Sequence, residues 1–78
     1  MNNITIPPDV DGRNSDRARW AKNALRAFMR QTRVDYEDAL GDLLGDLMHL
    51  ADREPFDFEA ALDRARGHYA AETGNAPY

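Results

Sequence analysis

A chain of 78 residues without cysteine is one domain with neither disulfides nor thiolate metal sites, and a core of that size supplies only about 3–5 kcal/mol of net stability. Its net charge of −4 and pI of about 4.9 argue against direct contact with nucleic acid, for which a binding domain usually exceeds pI ~9. The total hides a division, because residues 1–34 carry seven cations against three acids, whereas residues 35–78 carry eleven acids against three arginines.

Residues 1–13 hold Pro7, Pro8, Gly12 and the spaced aliphatics Ile4, Ile6 and Val10, which predicts an extended arm rather than a helix. From Ser15, a good N-cap residue, Ala18, Ala21, Leu25 and Phe28 recur at three- and four-residue spacing, predicting a first helix over about 16–31. Its other face is basic: Arg17, Arg19, Lys22, Arg26 and Arg30.

The second helix, about 36–53, has Asp35 as its cap and Tyr36, Leu40, Leu43, Leu44, Leu47, Leu50 and Ala51 as one apolar stripe. Opposite run Asp38, Asp42, Asp46 and His49, and Glu54-Pro55 ends the helix because the residue before proline is pushed out of the α region. Asp57 caps a third helix over about 58–72, with the stripe Phe58, Ala61, Leu62, Ala65 and Tyr69 and the stop Thr73-Gly74. Residues 75–78 read as a frayed tail. Three helices on short loops predict an all-α, up-down-up three-helix bundle over 14–74 with an extended N-terminal arm. Gly41 and Gly45 are the odd residues, each costing about 1 kcal/mol against alanine inside a helix; spaced by four, they suit a close-packing seam, either within the chain or with a second copy.

The row Asp38, Asp42, Asp46, His49 lies on one helical face, and Asp46-x-x-His49 has the carboxylate-x-x-His step of helical-bundle metal sites. One helix cannot complete such a site, and the further ligands would have to be His68 or Glu72. No nucleophile–base pair and no glycine-rich phosphate loop is present. The segments Glu37–Leu44 (EDALGDLL), Leu50-Ala51, Asp57–Leu62 (DFEAAL) and Arg66-x-x-Tyr69 resemble the C-terminal half of MazG-type all-α nucleoside triphosphate pyrophosphohydrolases over about residues 37–70. The resemblance implies Mg²⁺ held by acidic pairs on two successive helices. Asp42 matches the aspartate of the family's Glu-x-x-Asp pair, but its partner position is Ala39, and the preceding helix has no acid after Asp16 to match Glu-Glu-x-x-Glu. The chain also resembles short helical proteins of bacteria and their mobile elements, which implies no mechanism.

These residues lead to the expectation of a non-enzymatic, cytoplasmic, cofactor-free protein-binding module, a regulator or inhibitor of a larger complex such as a nucleic-acid-handling one, encoded by a phage or plasmid. Its partner is another protein or its own copy, not a membrane or nucleic acid. The acidic face would use Asp38, Asp42, Asp46 and Asp52, and the basic face Arg19, Lys22, Arg26 and Arg30, unless the two rows neutralise each other inside the bundle. Two other functions fit parts of the pattern. One is a degenerate or partner-completed MazG-like hydrolase with Asp42, Asp46 and His49 as metal ligands, and the other a DNA-binding regulator that uses the basic helix.

Overall fold

The computed structural model describes residues 6–74, so Ile4 and the tail 75–78 lie outside the described residues. Three helices and no strand are formed among them: α1 (Asn14–Thr32), α2 (Tyr36–Arg53) and α3 (Phe58–Glu72). The all-α, three-helix architecture expected from the periodicities is therefore the one observed.

The helix starts show how local chemistry sets each element. Asp57 is the N-cap of α3, and its carboxylate accepts from the Ala60 N–H at 3.0 Å, satisfying one of the unpaired first-turn donors. Asp35 occupies the N-cap of α2 in extended conformation, but its side chain makes no capping bond. Ser15 does not cap α1. The helix begins one residue earlier, at Asn14, whose N–H is taken by both carboxylate oxygens of Asp9 at 3.1 and 3.3 Å. The cap thus comes from the arm, five residues back.

The stops are of three kinds. α1 ends on Arg33 in the left-handed region (φ 65°), α2 on the extended Glu54 before Pro55, and α3 on Thr73 with Gly74 at φ 76°. Gly74 suits that backbone angle, and a β-carbon there would make only an ordinary contact with the Val10 side chain, at 3.5 Å.

Helices α1 and α2 form a hairpin, and α2 packs on α3 near their junction. The ends of the chain then close on one another. Val10 N–H and Asn14 Nδ2 both donate to the Glu72 carbonyl, at 3.2 and 2.9 Å. Arg17 joins Asp11 by two bonds of 2.8 and 2.9 Å and reaches Glu72 at 3.2 Å. One guanidinium therefore ties the arm, the first turns of α1 and the last turn of α3. It also holds the Asp11 carboxyl at about 2, well below its ordinary 3.8, while Asp11 pushes Arg17 up in return.

The result is open rather than filled. Ala39 and Ala70 are the buried apolar residues among those described, and no large side chain is fully buried. The radius of gyration is 14.6 Å, against about 11–12 Å for a compact chain of this length. Much of the apolar stripe of α2 stays in solvent: Tyr36 and Leu40 keep 62% of their surface, Leu44 keeps 44% and Leu47 39%. Ala39, beside that stripe, is fully buried.

Candidate functional site

The acidic row of α2 does not act as one unit. Asp42, Asp46 and His49 line a concavity of about 280 Å³ with Gly41 and Gly45, and its opposite wall is Phe28, Thr32 and Val34 from the end of α1 and the turn after it. The spacing of two helical turns puts the three polar side chains along one edge. Asp52 is elsewhere, beside Phe56, Asp57 and Phe58 at the α2–α3 junction, and Asp38 is exposed on the first turn of α2.

The glycines make the concavity possible. Among the described residues a β-carbon on Gly41 or Gly45 would meet nothing within 4 Å, so neither is a point where another described part of this chain packs closely. Their missing side chains deepen the space between Phe28 and the aspartates. Among the described residues nothing packs closely on the two glycines, and the fully buried Ala39 lies on a different face of the helix, which leaves a seam with a second copy as the other reading of their spacing.

Nor do the two charged rows neutralise each other. Among the described residues the ion pairs are Arg13–Asp16, Arg19–Asp16, Arg17–Asp11 and Arg17–Glu72, and none joins α1 to α2. The physical reason is rotation: α1 turns Phe28 and Thr32 toward the aspartates, while Arg26 and Arg30 gather with Met29, Arg33 and Val34 around a separate groove. Lys22 lies at the edge of a third groove between α1 and α2, and Arg19 is held by Asp16.

No three His, Asp or Glu side chains among the described residues gather closely enough to hold a metal ion. Asp42, Asp46 and His49 face an apolar wall rather than the ligands that α3 would have to bring, and Glu72 is engaged by Arg17 at another corner of the molecule. Ala39, where the MazG-like pattern would need its second acid, is the fully buried contact residue. A methyl group closed off from solvent stands where that chemistry needs a carboxylate.

Sequence reasoning named the aspartates but missed Phe28, Thr32 and Val34 as their neighbours, because Phe28 reads simply as part of the α1 stripe. It also missed the Asp9 cap and the Asp11–Arg17–Glu72 cluster. Two aspartates just before a helix start were the available signal.

Among the described residues no helix is long and apolar enough to cross a membrane. No protein-family model, curated protein or solved structure matches the chain.

Proposed function

We propose that this chain is a non-enzymatic protein-binding module, a regulator or inhibitor of a larger complex, and that it receives a basic segment of its protein partner in the concavity of Asp42, Asp46 and His49. The observation that carries this reading is the combination of two carboxylates without an ion-pair partner among the described residues and an aromatic wall, Phe28, across a glycine floor. A lysine or arginine entering there would have carboxylates on one side and an aromatic side chain on the other, the two kinds of group that favour a cation. The concavity is too open for a small molecule to be enclosed, so a side chain anchored by the rest of its own protein is the fitting occupant.

Exposed ion pairs contribute about 0.2–1 kcal/mol each, so removing both aspartate charges should weaken the complex by about 2- to 30-fold. The test is paired capture with the tagged wild type and an Asp42→Asn/Asp46→Asn variant whose helicity is verified by circular dichroism. Asp63→Asn, an exposed acid of α3, serves as the charge control. A partner lost by the double variant and kept by the control supports the reading. One that all three retain equally would exclude the concavity.

A further inference from the structure

The groove between α1 and α2 is a separate surface and depends on nothing said of the acidic concavity. It measures about 490 Å³ and is lined by Ala18, Ala21 and Leu25 on α1 and by Tyr36, Leu40 and Leu43 on α2. These are the stripes that the sequence assigns to the core, yet none of these residues is buried. We infer that the groove is covered by a second copy of this chain, in a symmetric dimer that places the tyrosine–leucine ridge of each α2 over the alanine shelf of its partner's α1.

Three observations select this occupant. First, the two sides of the groove are complementary to one another: α1 offers three alanines, Ala18, Ala21 and Ala24, beside Leu25 and Lys22, whereas α2 offers only large side chains. A two-fold axis through the groove sets each large set against the other protomer's small set, the self-complementarity that an isologous interface requires. Second, charge follows the same division. Helix α1 holds five cations and one acid, whereas α2 holds five acids and one cation. The helices that the axis brings face to face thus have opposite sign, with Lys22 at the rim of one and Glu37 next to Tyr36 on the other.

Third, the chain has more exposed surface than a standard interface needs. The accessible surface of 6690 Å² for 8.8 kDa exceeds by about 1,900 Å² the roughly 4,800 Å² expected of a compact monomer, and a standard interface removes about 800 Å² from each partner. A second copy also supplies the apolar burial that a chain with two buried alanines lacks.

The dimer leaves the proposed protein-binding concavity free, since Asp42 and Asp46 lie on another face of α2. Its test is the mass of the purified wild type by sedimentation equilibrium at high micromolar concentration, beside Leu40→Ser. Leu40 is already mostly exposed, so its replacement should leave the helices intact while removing an anchor that the symmetry uses twice. The expected result is twice 8.8 kDa for the wild type, with a dimer Kd raised on the order of 30- to several-hundred-fold in the variant. A wild type that remains at 8.8 kDa, or a folded variant that dimerises as tightly as the wild type, would overturn it. Should Leu40→Ser lose its helicity, the melting temperature of the wild type decides. It should rise with protein concentration if the folded species is a dimer, and independence from concentration would refute the inference.

Discussion

Replacing Gly41 with alanine tests the placement of α2 against the rest of the molecule. Glycine inside a helix is less stable than alanine by about 0.5–1 kcal/mol, because it loses more backbone freedom on folding. The gain is realised only where the new methyl finds room. At Gly41 it would meet nothing within 4 Å, so no steric penalty offsets it and the full propensity difference should appear. For a domain of this size 1 kcal/mol corresponds to about 4–8 °C in melting temperature, so the variant should melt about 2–8 °C higher in a thermal scan followed by circular dichroism at 222 nm. Gly45→Ala should behave alike, since its position is equally open. A fall in melting temperature would refute the reasoning. It would mean that another backbone lies against this face of α2, within the chain or across a glycine seam to a second copy.

Other expectations follow from the caps and charges. Asp57→Ala removes the side-chain bond to the Ala60 N–H and should cost about 1 kcal/mol, read as a lower midpoint in urea with an unchanged slope. Arg33→Gly relieves a left-handed backbone angle borne by a residue with a β-carbon and should raise stability by about 1 kcal/mol in the same assay. The Asp11 carboxyl is depressed in the folded state, so its contribution is fully present above its ordinary value of 3.8 and is lost as pH falls toward about 2. Carbon-detected NMR titration should show Asp11 titrating well below an ordinary aspartate in the wild type and near the ordinary value in Arg17→Gln. An Asp11 that titrates normally in the wild type would remove the Arg17 tie.

The helices were legible because their signals are local. The 3–4 spacing of Leu40, Leu43, Leu44 and Leu47, the Glu54-Pro55 break and the Asp57 cap each act within a turn or two of chain, so neighbouring residues suffice to read them. What the stripes would face was not legible. Periodicity tells which side of a helix is apolar, not whether another helix of the same chain covers it, and here Ala39 rather than a leucine takes the buried contact. The charge division was plain in the sequence, yet whether Asp42 would meet Arg26 or Phe28 depends on the rotation of α1 about its own axis. Arg26 and Phe28 stand two residues apart, about 200° around the helix, so a rotation of roughly half a turn exchanges one for the other. The Arg17 cluster was hidden for a different reason: Asp11 and Glu72 are 61 positions apart in sequence, and only the return of α3 to the start of α1 brings them together.

Chemical-shift mapping of the captured partner on the isotope-labelled chain tests the central claim most directly. With a basic segment seated in the concavity, the amides of Phe28, Gly41, Gly45 and His49 should shift most, and Asp42→Asn/Asp46→Asn should diminish those shifts while leaving the spectrum of the free protein dispersed. Shifts concentrated at Ala18, Ala21, Leu25, Tyr36 and Leu40, with the two glycines unmoved, would contradict it and assign partner binding to the apolar groove instead.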